Sequence, residues 1–209
     1  YIVVSEITKR VGRDNKASVT EIRPLRALLC AMVIAGCMLP ADADAASGIV
    51  WGTGASAPGQ DSVAVGTNAK AKKSHAVAQG TEAKADGVYA LAFGYKVQTL
   101  ANYAIAMGHQ AKAGANAIGG VAIGSSSVVE GEHGVALGDQ AESKNKQTIA
   151  VGLKSVSSGE QSISIGHQAK AIGNNSIAEG VGAKGYAKDG VAIGNNAESG
   201  TADNKDPRI

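Results

Sequence analysis

The chain has 209 residues, with 28 glycines, a single Trp, a single Phe and a formal net charge of +2. An apolar content of 44% with so small a net charge excludes a disordered chain, and glycine does not recur every third residue as a collagen helix needs. The balanced charge offers no electrostatic footprint for a nucleic acid, and the scarcity of large side chains argues against a conventional globular core and for internal repeats.

The chain opens on Tyr1 rather than Met and reads as a fragment of a longer gene or a truncated product. Basic residues Lys9, Arg10, Arg13, Lys16, Arg23 and Arg26 precede an apolar run from Ala27 to Leu39. Small residues follow, from Ala41 to Ser47. A positive flank, a short apolar core and an A-x-A site are the layout of a secretory leader, here assigned to residues 1–46 with cleavage near Ala43–Ala46. The run is too short to span a bilayer. Ile34-Ala35-Gly36-Cys37 also has the form of a lipid-attachment site, so lipidation at Cys37 is the alternative to cleavage. Both cysteines, Cys30 and Cys37, lie in this segment, so disulfides are not expected in the mature chain. Residues 47–60, with Trp51 and Pro58, read as a cap or linker in front of the first repeat.

A ladder occupies residues 61–200. Glycine closes a short aliphatic triplet at Gly66, Gly80, Gly94, Gly108, Gly124, Gly138, Gly152, Gly166, Gly180 and Gly194. Every step is 14 residues except the 16 between Gly108 and Gly124. The two extra residues fall within Gly114–Gly120, as a widened turn. Each triplet alternates large, small, large, a period of two that makes it a strand with two distinct faces. Small residues recur three and five positions after the glycine, at Ala69, Ala83 and Ala111, and at Ala71, Ala85 and Ala113, which defines a second, shorter strand. The unit is strand–turn–strand–turn, one coil of an all-β parallel solenoid of ten 14-residue repeats.

So short a coil encloses room only for small side chains, which places the alanine column inside. The large residues then point outward as an aliphatic stripe: Val63, Val65, Leu91, Phe93, Ile105, Met107, Val121, Ile123, Val135, Leu137, Ile149, Val151, Ile163, Ile165, Val191 and Ile193. Two such side chains contribute about 3–6 kcal/mol per coil when buried, so the stripe reads as an association surface, closed by cyclic symmetry. Gln79 and Glu179 interrupt it: they would either tilt to solvent at a loosened coil or form polar rings at the symmetry axis, around internal water or an ion.

Ser62-Val63-Ala64-Val65-Gly66, Ser162-Ile163-Ser164-Ile165-Gly166 and Gly190-Val191-Ala192-Ile193-Gly194 resemble the head repeats of trimeric autotransporter adhesins, the YadA-like heads. The likeness covers about residues 61–200. The leader stretch Tyr1–Arg10 is similar to the extended signal-peptide region of large autotransporters. The resemblance implies a left-handed, single-stranded β-roll, a homotrimer with the stripe as its core, and display at the bacterial cell surface. It also implies attachment to host extracellular matrix proteins of the collagen, fibronectin or laminin type, or self-association of bacteria. Such adhesins end in a coiled-coil stalk and a membrane β-barrel. The tail 201–209 shows neither, so the membrane is reached only through an anchor absent from this sequence.

Motifs for chemistry are sparse. His109 and His167 occupy equivalent places four coils apart, too far for a shared metal, and with His75 and His133 they read as exposed turn residues. No Ser-His-Asp order, HExxH or CxxC occurs. The expectation is a non-enzymatic protein without cofactor. Lys70, Lys72, Lys84, Lys112, Lys144, Lys170 and Lys184 lie along the second strand as a candidate ligand face, whose weak repeated contacts would gain strength through multivalency. The rival reading is a structural spacer within a longer surface fibre, with binding carried elsewhere.

Overall fold

A computed structural model describes residues 48–200. The expected leader, its cleavage and lipid sites, and the tail lie outside the described residues. Within them there is strand and turn but no helix. Three-residue strands run from Ile49–Trp51 through Val63–Val65 to Val191–Ile193 and form an eleven-stranded sheet. Two-residue strands, from Lys70–Ala71 to Glu198–Ser199, form a ten-stranded second sheet. Successive coils pair parallel and in unbroken register: Val63 lies opposite Val77, Ala64 opposite Ala78, Val65 opposite Gln79. At about 4.8 Å per strand, the first sheet extends about 48 Å.

The ladder holds one coil more than the sequence suggests. Ile49–Trp51 pairs with Val63–Val65 at the same 14-residue offset, and Gly52 takes the place of the closing glycine. The segment assigned to a cap is itself a turn of the solenoid. Its triplet escaped notice because Val50 stands where the other coils have alanine or serine.

The interior is as narrow as expected. Ala64, Ala78, Ala92, Ala106, Ala122, Ala136, Ala150 and Ala178 are inaccessible to solvent, as is Ser164. Ala69, Ala83, Ala111, Ala141, Ala169 and Ala183, three residues after the glycines, and Ala71, Ala85, Ala113 and Ala171, five after, are buried with them. A further interior column precedes each triplet: Ser62, Ala76, Ala90, Ala104, Gly120, Gly134, Thr148, Ser162, Ser176 and Gly190. The largest fully buried side chains are Val97 and Val129, so nothing above valine in size fits inside.

Glycine at the end of the triplet is obligatory for two reasons. Its φ lies between 123° and 137° from Gly52 to Gly194, a region that residues with a Cβ rarely enter. The coils also approach closely there: a Cβ on Gly66 would lie 2.6 Å from the carbonyl carbon and oxygen of Gly80.

Each coil turns twice, and each turn places one residue in the left-handed region. Asn68, Glu82, Lys96, Gln110, Ser126, Gln140, Lys154, Gln168 and Asn196 do so in the first turn. Asp61, His75, Tyr89, Tyr103, His133, Gln147, Gln161, Asn175 and Asp189 do so in the second. Left-handed backbone costs about 1–2 kcal/mol for a residue other than glycine. The offset is visible in the ladder: Asn68 N–H donates to Thr53 O at 2.8 Å and Glu82 N–H to Thr67 O at 2.8 Å, so the turns too are bonded coil to coil. The two extra residues lie where the sequence places them, in the turn between Lys112–Ala113 and Val121–Ile123.

Candidate functional site: an outward aliphatic face and a lysine-bearing face

The pleat of the first sheet decides where its side chains go. With every central residue inside, both flanking residues face out. All sixteen stripe residues lie on this one face, in two parallel columns: Val63, Leu91, Ile105 and their successors in one, Val65, Phe93, Met107 and theirs in the other. None is buried in the single chain. Met107, Ile123 and Ile165 are each about 40% exposed, and Ile193, at the end of the ladder, is 65% exposed. Ile49 and Trp51 extend the two columns by one coil, with Trp51 68% exposed. Val77 and Ile177 fill the first column in the coils that carry Gln79 and Glu179. Those two polar residues are exposed and point outward with the aliphatic ones, Glu179 between Ile165 and Ile193. So long an apolar stripe is out of keeping with an isolated soluble chain.

The lysines occupy the other sheet. Lys70, Lys84, Lys112, Lys170 and Lys184 share one column, broken by Gln98, Val128, Glu142, Val156 and Glu198. Lys72 and Lys144 stand two residues further on, in the following turn. Three of the seven are held by carboxylates: Lys72 to Asp86 at 2.8 Å, Lys144 to Glu142 at 2.8 Å and Lys184 to Glu198 at 2.7 Å. The hydrogen bond that the Lys184 ammonium donates to Glu198, then the charge of that carboxylate, raise the Lys184 pKa above its ordinary value. Lys70 and Lys84 lie directly opposite one another, as do Lys170 and Lys184. The lysines form local clusters rather than one even ladder.

Two sets of stacked rings went unnoticed in the sequence. His75 and Tyr89 stack with centroids 4.5 Å apart, and Tyr89 and Tyr103 follow at 5.5 Å. At the opposite turn Tyr95 stacks on His109 at 5.4 Å, with the Lys96 ammonium 5.0 Å from the Tyr95 ring centroid. Its hydrogen bond with Tyr95, and then the charge of Glu82, raise the Lys96 pKa. The signal was present: positions 75, 89 and 103 recur at the 14-residue period, but the columns on the turns were not read. Three of the four histidines thus have defined neighbours: His75 and His109 in these stacks, and His133 with Nε2 3.6 Å from Glu132 Oε1. Among the described residues no group of His, Cys, Asp or Glu is placed to hold a metal ion. The arrangement offers broad repetitive faces rather than a cleft with convergent reactive groups.

A family model described as the YadA head domain repeat matches residues 47–69, 71–96, 115–141, 130–155, 143–169 and 157–183. The match starts within the coil that the triplet rule passed over and covers more than half of the chain. No curated protein matches the chain.

Proposed function

Because the chain belongs to the family of YadA head domain repeats, we propose that it is the head segment of a bacterial surface adhesin, formed by three copies packed side by side. The observation that carries this reading is the outward aliphatic face, two columns wide and about 48 Å long. Three copies would bury it about a common axis, where Gln79 and Glu179 form two polar rings. The lysine-bearing sheet then faces away from the axis, toward host matrix proteins of the collagen, fibronectin or laminin type, or toward heads on a neighbouring cell. Many weak contacts along a rigid rod suit such extended partners. Nothing in this reading calls for catalysis or a cofactor.

Sedimentation equilibrium on the chain without its leader tests the assembly. The expected mass is that of three chains, and Leu137→Lys, which sets a charge in the middle of the stripe, is expected to shift it to one. A folded wild-type monomer would refute the packing. Solid-phase binding to collagen, fibronectin and laminin tests the adhesive role. A folded trimer that binds none of them, and does not clump cells that display it, would favour the spacer reading.

A further inference from the structure

The first sheet has two ends, and they differ in charge. At one end Val191–Ile193 lies between Asp189 and Glu198. At the other Ile49–Trp51 lies in an uncharged run, residues 48–60. The first charge met is Asp61, in the turn that enters the second coil, where its Oδ2 lies 3.7 Å from His75 Nε2. Ile49–Trp51 pairs with Val63–Val65 on one side and with nothing among the described residues on the other. Ile49 is 62% exposed, Val50 40% and Trp51 68%, and Gly52, Thr53 and Gly54 are exposed with them.

The backbone of this edge is set to receive a strand. In the second coil Gly66 N–H donates back to Trp51 O at 2.7 Å, and Asn68 N–H to Thr53 O at 2.8 Å. Gly52 and Gly54 are the counterparts of Gly66 and Asn68, and their N–H groups have no acceptor among the described residues. Ile49 N–H donates to Ser62 O of the second coil at 2.8 Å. Directions alternate along a strand, so the N–H and C=O of Val50 point to the open side. Sheet edges are usually blunted by charge, and solenoid ends by polar capping repeats. Neither protects this edge among the described residues.

We propose that Ile49–Trp51 is a docking edge for a second copy of this chain, joining two heads tip to tip. Antiparallel pairing about a two-fold axis sets Val50 opposite its own counterpart and Ile49 opposite Trp51, so each apolar side chain meets an apolar one. No like charges on the paired strands oppose one another. Leader cleavage near Ala43–Ala46 is part of the proposal. It leaves at most the four residues Asp44 to Ser47 ahead of Gly48. Folding back over the edge takes about five, two for a turn and three for a strand, so the processed N-terminus is too short to cover it. A peptide strand from another protein suits the edge less well. In a three-chain head three such edges lie at the same end, and a second head engages all three at once, whereas a lone peptide gains only a three-residue pairing. That multiplicity rests on the trimer reading; the edge itself belongs to the single chain.

Trp51 is the sole tryptophan of the chain, so its emission reports on the edge. The test uses the chain exported and processed by a bacterial host, with its N-terminus read by mass spectrometry. A start upstream of Asp44 overturns the proposal. Sedimentation equilibrium and Trp51 fluorescence are then followed over a concentration series. The mass is expected to rise toward twice its dilute value, with a blue shift of Trp51 and weaker quenching by acrylamide. Val50→Pro removes only the outward N–H, which the pairing with Val63–Val65 does not use. It is expected to hold the mass at its dilute value, with circular dichroism unchanged. Val50→Lys opposes like charges across the two-fold axis and is expected to raise the dissociation constant about tenfold. A wild-type mass that stays constant overturns the proposal, as does doubling that neither variant weakens. The dilute mass reports separately on the packing: one chain that doubles refutes the trimer and supports the edge, while three chains that never double refute the edge alone.

Discussion

The two halves of the tube solve the same packing problem with different chemistry. From Ala57 to Ala141 the buried interior is dominated by one continuous apolar cluster, almost wholly alanine, with buried hydroxyls at Ser62, Thr99 and Ser127. Between Ser143 and Ser164 the same columns carry six buried hydroxyls: Ser143, Thr148, Ser155, Ser157, Ser162 and Ser164. Apolar packing resumes as a separate small cluster of Ala171, Ala178 and Ala183. Register and coil length are identical across the change. The hydroxyls are tolerated because they have partners. Ser157 Oγ and Ser162 Oγ lie 2.7 Å apart, Ser162 also donates to Gly159 O at 2.6 Å, and Thr148 donates to Asn145 O at 2.8 Å. Those acceptors are turn carbonyls with a spare lone pair. The tube selects for side-chain volume, and accepts polarity wherever a turn carbonyl stands within reach.

The comparison breaks most visibly if volume is violated in the alanine half. Ala106→Leu forces three extra carbons between two walls already in contact, and is expected to cost about 3 kcal/mol, the upper end of the usual overpacking range. Urea denaturation followed by circular dichroism measures it, and a loss below 1 kcal/mol would show the tube to be more elastic than its burial suggests. A smaller effect tests the hydroxyl half. Ser162→Ala leaves Ser157 with one partner fewer and is expected to cost about 1 kcal/mol, whereas Ser157→Ala together with Ser162→Ala is expected to be nearly neutral. A double-mutant cycle reads the coupling directly; simple additivity would mean that the paired hydroxyls do not act as a pair. The smallest effect has the opposite sign. Ser176 is buried and its Oγ has no partner, so Ser176→Ala is expected to stabilise by up to about 1 kcal/mol. Destabilisation there would point to a bound water that the hydroxyl holds.

Much of this was legible because a fixed period turns each structural position into a column of residues. The aliphatic and alanine columns could be told apart from their sizes alone, and that contrast placed the alanines inside and Val63, Leu91 and Ile105 outside. The first coil was missed because Ile49-Val50-Trp51 lacks the small central residue on which the rule relied. Among the described residues this coil pairs with a neighbour on one side only, and Val50 there is 40% exposed. The left-handed columns were invisible for another reason. Gln, Lys, Glu and Tyr do not announce positive φ, and here the hydrogen bonds of the coil below hold them in it. The lysines were read along the strand without regard to column, which grouped Lys72 and Lys144, in the following turn, with the strand lysines, and hid the carboxylates that hold three of the seven.

The constant register has a genetic consequence. Val63 meets Val77 and Ile177 meets Val191 at the same offset, so recombination between two coils that deletes or duplicates one whole unit returns each downstream residue to its own column. A slip of a single residue would turn every following side chain from the lumen to the surface. The gene carries, in effect, a second reading frame laid over the triplet code, with glycine as its punctuation. The widened coil evades that frame by placing both of its extra residues in a turn. Lineages can lengthen or shorten such a rod freely in whole units, and new surface features are admitted at the bends.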